Sequence, residues 1–185
     1  NGSPIGDSMP ALIALDTRIE LRRGRETREL PLDAFYLGYQ KTALREGEFV
    51  VALHVPRPGP ALRFRTYKVS KRYDQDISAV CAAFALDIAD GGIARARLAF
   101  GGMAATPKRA TQAEAALGGS QWNEETVRRA MDALALDYQP LTDLRASSGY
   151  RMTVARNLLW RFWLETRDDA PLALIERDQP LGHFP

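Results

Sequence analysis

The chain opens with few clear apolar periods. Residues 1–20 read as a loop followed by short strands, with Pro4 and Gly6 as punctuation and an apolar run at residues 11–15. Asp7 and Ser8 are placed to cap a short helical turn. Residues 17–22 (Thr-Arg-Ile-Glu-Leu-Arg) alternate polar and apolar, the period of a half-buried strand. Gly24 suits a hairpin turn, and residues 28–32 read as the return strand. Residues 31–39 hold Phe35, Tyr36 and Tyr39 with a glycine near the end, which predicts a short helix or turn packed by Phe35 and Tyr36. Residues 49–55 (Phe-Val-Val-Ala-Leu-His-Val) are continuous and β-branched, so a strand is expected. Pro56-Arg57-Pro58-Gly59-Pro60 ends it, because proline removes donors and cannot continue a sheet. This cluster marks the boundary between residues 1–56 and residues 61–167.

Beyond the boundary the pattern is strands, then helices. Residues 61–67 alternate, and residues 77–89 form a long apolar run closed by Asp90-Gly91-Gly92, a hairpin signal. Residues 93–100 are its expected partner strand. Gly101 and Gly102 supply backbone angles or close approaches that other residues resist. Thr111 and Glu114 have capping-box spacing at the start of a first helix, which Gly118-Gly119 closes. A second helix starts at Asn123, with Glu124 and Glu125 where the helix dipole favours negative charge. It carries Val127, Ala130, Met131 and Leu134 on one face and stops before Pro140. A third spans residues 148–166, with Met152, Ala155, Leu159 and Phe162 as its apolar stripe and Trp160 and Trp163 on the flanks. Residues 168–185 read as an extended tail. Strands followed by segregated helices predict an α+β fold, a small antiparallel sheet against a helix bundle.

Composition narrows the function classes. The chain has 185 residues, enough for a sizeable core without disulfide or metal. Its net charge of +2 lacks the basic excess of a nucleic-acid binder. No apolar run is long enough to span a bilayer. The single cysteine, Cys81, excludes an internal disulfide and lies in an apolar run, where a buried, inert thiol is expected. Together these point to a soluble, cytoplasmic protein.

Candidate chemistry is sparse on spacing alone. His54 and His183 are the only histidines and lie far apart, so no metal site is expected. Ser147 and Ser148 lack a triad partner and suit a helix start. There is no Walker loop and no Gly-x-Gly-x-x-Gly. Asp168 and Asp169 read as solvated, and Asp74 and Asp76 as loop residues. Lys68, beside Lys71 and Arg72, reads by default as a solvated edge charge, and Asp7 as a turn or cap residue.

Four segments together change this picture. They are Ser3-Pro4-Ile5-Gly6-Asp7, Phe35-Tyr36-Leu37-Gly38-Tyr39-Gln40-Lys41-Thr42, Tyr67-Lys68-Val69-Ser70-Lys71-Arg72 with Asp76-Ile77, and Phe100-Gly101-Gly102-Met103-Ala104. Asp143-Leu144-Arg145-Ala146-Ser147-Ser148 and Tyr150-Arg151-Met152 add to them. In order and spacing they resemble the small, flavin-carrying subunit of bacterial xanthine dehydrogenase, in the molybdenum hydroxylase family. The resemblance runs from Asn1 to about residue 164. It implies that residues 1–56 are the last part of an FAD-binding domain. It implies for residues 61–167 a flavoprotein C-terminal domain, a three-stranded antiparallel sheet with a three-helix bundle. Iron–sulfur (2Fe–2S) domains and glycine-rich FAD loops precede these parts in such subunits, so the chain looks like the end of a longer one.

The resemblance further implies FAD as cofactor, with Asp7 accepting hydrogen bonds from it, Val50 touching it through apolar or backbone atoms, and Lys68 near the flavin end. A cation there suits reduced flavin, which can carry negative charge. The loop at residues 70–76 would lie where NAD arrives. Tyr73 and Gln75 stand where some relatives carry other charges. Electrons would pass from purine at a molybdenum cofactor in a separate large subunit, through iron–sulfur clusters, to FAD and NAD. The competing reading is a docking module, which solvent-facing Trp160 and Trp163 would favour; another is a related hydroxylase with a different substrate.

Overall fold

The structure, a computed structural model, describes residues 6–72, 76–89 and 91–169. Outside them lie Ser3, Pro4 and Ile5 of the first motif, the loop residues Tyr73, Asp74 and Gln75, Asp90 of the hairpin pair, and the tail from residue 170 with His183.

The short helical turn expected at Asp7 and Ser8 is there, with Asp7 as N-cap, and it continues through the apolar run as a helix, α1 (Ser8–Ala14). Pro10 sits in its first turn, where the missing N–H costs no intrahelical bond. The apolar run buries Ile13 and Ala14. Strands β1 (Arg18–Arg23) and β2 (Glu26–Pro31) form the expected hairpin, with Arg18 opposite Pro31 and Arg23 opposite Glu26. A single 3-10 turn (Leu32–Ala34) follows, then the short pair β3 (Tyr36–Gly38) and β4 (Lys41–Thr42). The predicted turn packing holds, with Phe35 and Tyr36 in edge contact at 5.2 Å between ring centroids. Strand β5 (Phe49–His54) pairs antiparallel with β1, giving the sheet order β2-β1-β5. As an outer strand it leaves Phe49, Val50, Val51 and Leu53 exposed.

The second sheet has the order β6-β7-β8-β9, all antiparallel, from β6 (Leu62–Val69), β7 (Val80–Ala89), β8 (Gly92–Gly101) and β9 (Lys108–Arg109). The three expected strands are β6 to β8; β9 adds two residues opposite Ala99 and Phe100. Strand β7 is buried on both faces. Val80, Ala82, Phe84 and Leu86 face one core, and Ala83 and Ala85 face another, so its sequence reads as a continuous apolar run rather than an alternation.

The helices are α2 (Thr111–Leu117), α3 (Glu124–Asp137) and α4 (Ser148–Thr166). Asn123 caps α3, accepting from the Thr126 amide, and Ser147 caps α4, accepting from the Tyr150 amide. The capping box expected at α2 does not form. Glu114 turns away to accept from the Leu98 amide at 2.8 Å and from Arg109. The Asp137 carboxylate caps α2 instead, accepting from the Gln112 and Ala113 amides at 3.0 Å each.

The bundle packs on one face of the second sheet. Phe84 is at its centre, with centroids 5.3 Å from Phe100, 5.4 Å from Phe162 and 5.7 Å from Tyr67. On the other face the small residues Ala83, Ala85 and Ala99 admit α1, β1 and the Leu32–Phe35 region into a second core. Gly101 allows the same approach, since a Cβ there would touch Pro10 Cγ at 3.4 Å. Among the described residues no helix is long and apolar enough to cross a membrane.

Candidate functional site

Lys68 and Cys81 stand opposite each other across β6 and β7, on the face that carries α1. Asp7, the N-cap of α1, reaches this face. Its side chain makes no capping bond. Instead Oδ2 pairs with Lys68 Nζ at 2.7 Å, and Oδ1 accepts from Ser78 Oγ at 2.6 Å. The bond to Asp7 raises the Lys68 pKa above its ordinary value, against a smaller desolvation effect. Cys81 Sγ donates to the Asp7 carbonyl at 3.4 Å. Burial pushes its thiol up to about 12, so the inert cysteine expected from the sequence is what the fold holds.

A cavity of about 500 Å³ opens here around the free edge of β6. Asp7, Lys68 and Cys81 line one side. Arg65, Tyr67, Arg161 and Glu165 line the other, because successive residues of a strand point to opposite faces. On that second side Tyr67 donates to Glu165 Oε2 at 2.8 Å, and Arg161 Nε donates to Oε1 at 2.6 Å. Burial, and then the bond to Glu165, push the Tyr67 phenol well up. Sequence reasoning missed Arg161 and Glu165 as cavity residues. Their spacing of four on α4 was the one visible sign.

The structure brings Asp7 and Lys68 together and places Val50 elsewhere. Val50 lies on β5, opposite Leu21, 46% exposed, and is not among the residues lining this cavity. Asp76 is a loop residue in the sense expected. Its carboxylate accepts from the Arg72 and Ile77 amides, and the Arg72 bond holds its pKa low. Lys71 is engaged too, donating to the Leu144 carbonyl at 2.7 Å.

Behind the site, Arg151 on α4 is 3% exposed. One of its guanidinium nitrogens donates to the Ala79 and Gly102 carbonyls and the other to Asp143 at 2.7 Å. The Ala79 amide in turn donates to the Val69 carbonyl at 2.8 Å. The backbone under Ser78 is thereby pinned from both sides.

His54 has more company than its isolation in the sequence suggests. Glu20, Glu29 and His54 lie within 4.8 Å of one another on three adjacent strands. His54 Nε2 is 2.8 Å from Glu20, and Arg18 pairs with Glu29 at 3.0 Å. Of the two tryptophans that a docking role would expose, one is buried and the other half-buried. Trp163 is 6% exposed, and Trp160 lies tilted against it at 4.6 Å between centroids, beneath the Arg128 guanidinium at 4.5 Å.

An ammonium and a carboxylate side by side present a donor and an acceptor to a ligand edge that carries a carbonyl next to an N–H. The ring end of a flavin has such an edge, so these residues fit it, and the cation suits the anion of a reduced ring. A pyrophosphate cradle of the Gly-x-Gly-x-x-Gly kind is absent from the sequence.

Both parts of the chain match known families. Residues 1–58 match the FAD binding domain in molybdopterin dehydrogenase, and residues 65–166 match the CO dehydrogenase flavoprotein C-terminal domain. A nicotinate hydroxylase of Emericella nidulans is 35% identical over 168 residues, which are 87% of this chain and 12% of that protein. The xanthine dehydrogenase FAD-binding subunit of Escherichia coli O157:H7 is 28% identical over 159 residues, 85% of this chain and 54% of that one. In structure, carbon monoxide dehydrogenase from Hydrogenophaga pseudoflava superposes with a TM-score of 0.81 at 29% identity, covering 86% of this chain and 55% of its own. The chain thus spans about half the length of the bacterial FAD-binding subunit it matches. It belongs to the CO dehydrogenase flavoprotein C-terminal domain family, here preceded by the C-terminal part of an FAD-binding domain of the molybdenum hydroxylases.

Proposed function

We propose that this chain forms one wall of the FAD site in the flavin-carrying subunit of a xanthine dehydrogenase. The observation that carries the proposal is the Lys68–Asp7 pair, 2.7 Å apart at a cavity, with one partner from each of the two matched segments. Bound FAD would supply the two-electron chemistry that links iron–sulfur clusters to NAD. Asp7 accepts from the ring, and Lys68 offsets the negative charge that reduction brings. Val50, on its own strand, serves as an apolar contact for a more distant part of the same extended cofactor. The iron–sulfur domains, the molybdenum-binding large subunit and NAD are the partners of this proposal, and a cytoplasmic location goes with it.

The test is Lys68→Ala in the full-length polypeptide. A charged hydrogen bond at a half-exposed site predicts FAD binding weaker by about tenfold, with slower NAD reduction. Unchanged FAD retention in both Lys68→Ala and Asp7→Ala would remove the pair from the site. The second reading is a related hydroxylase acting on another substrate, favoured by the 35% identity to a nicotinate hydroxylase. Parallel assays of the assembled enzyme with xanthine and nicotinate separate the two.

A further inference from the structure

Asp7 is held by more than its ion pair. A carboxylate turns easily about its last bond, because that torsion is broad and two-fold. Lys68 is 44% exposed and is a mobile point charge on a flexible stem, so it fixes a distance but not a plane. Ser78 differs. It is 8% exposed, two residues ahead of β7, and its neighbour Ala79 is pinned by hydrogen bonds with the Val69 carbonyl and Arg151. Its hydroxyl donates to the carboxylate oxygen that Lys68 leaves free, at 2.6 Å. Two donors on two oxygens fix the plane. Of the roughly four acceptor positions of a carboxylate, two remain for a ligand. An N-cap aspartate ordinarily bonds the amides of its own helix, which stabilises that helix. Asp7 makes no such bond, and its side chain is committed to Ser78 and Lys68.

We propose that Ser78 is a positioning residue for the cofactor site: its hydroxyl sets the plane of the Asp7 carboxylate, so that the free lone pairs are presented to a ring N–H of the flavin. The inference rests on reading the cavity as the FAD site. Ser78 itself touches no cofactor and acts through Asp7.

The experiment is a double-mutant cycle in the full-length polypeptide, read as the FAD dissociation constant from flavin fluorescence, with the flavin reduction potential as a second readout. Ser78→Ala is expected to weaken FAD binding about fivefold to tenfold and to shift the potential. Ser78→Thr, which keeps the hydroxyl, is expected to stay within about twofold of the parent. In an Asp7→Ala background, Ser78→Ala is expected to add nothing, because its only route to the ligand is gone. Equal losses from Ser78→Ala with and without Asp7, or no recovery with threonine, would show a structural role and overturn the proposal. If Asp7→Ala weakens binding and Ser78→Ala does not, the positioning role fails while the FAD site stands. If neither variant alters binding, the site assignment itself fails, and the role of Ser78 with it.

Discussion

Gly102 shows how much rests on one backbone position. Its φ is +80°, a region that L side chains rarely adopt, and a Cβ there would collide with the Ala79 carbonyl oxygen. That same oxygen accepts from Arg151, so it cannot move aside without breaking a buried bond. Gly102→Ala is expected to destabilise the protein by about 2–4 kcal/mol, measured by denaturant unfolding. The need for special backbone at Gly101 and Gly102 was legible from the sequence, since paired glycines at a strand end have few other uses. The reason was not, because it lies in the Ala79 carbonyl, 23 positions before Gly102, and in Arg151, 49 positions after it, which holds that carbonyl in place. Asp7 is the same case. Its residue type announced a cap, while Ser78, 71 positions on, decides where the carboxylate turns. Residue spacing carries local partners only, and the family resemblance was what linked Asp7 with Lys68.

At the level of elements, the long helices and β1 were legible from periodic burial, and β5 and β7 from continuous apolar, β-rich runs. Helix α4 spans the residues its stripe predicted, and β5 ends where the proline cluster begins. The elements that escaped are short. Helix α1 has seven residues with a proline in its first turn, so only its opening turn was legible and its continuation through residues 11–14 was not. Strand β9 has two residues and exists only because β8 offers it a partner. The α2 cap escaped for a different reason. Thr111 and Glu114 have the right spacing, but the unpaired Leu98 amide and Arg109 compete for the glutamate and win it. The helix start is then served by Asp137 from the end of α3, which ties the two helices together. Asp137→Ala is expected to cost about 1–2 kcal/mol, with earlier thermal melting of α2 and α3 followed by circular dichroism. Asp137→Asn, which keeps one acceptor oxygen, is expected to cost less.

Across the whole molecule, the two matched segments share a core, since Ile13, Ile19 and Leu32 pack against Ala83, Ala85 and Ala99. Charge pairs close the periphery. Arg28 grips both oxygens of Glu48 at 2.7 Å and holds its pKa at about 2, below the ordinary 4.5. A carboxylate whose folded pKa is depressed adds stability above its unfolded pKa and loses it as pH falls toward the folded one. Acid unfolding of the parent should therefore steepen between pH 4.5 and about 2, and Glu48→Gln should flatten that limb in urea titrations at stepped pH. Strand β5 has a different consequence. Among the described residues its far side meets no other strand, and oily side chains flank it above and below. Such a rim is adhesive to any similar rim it meets. For the purified polypeptide by itself, shelf life will be governed by concentration before temperature, and turbidity will precede any loss of helical signal.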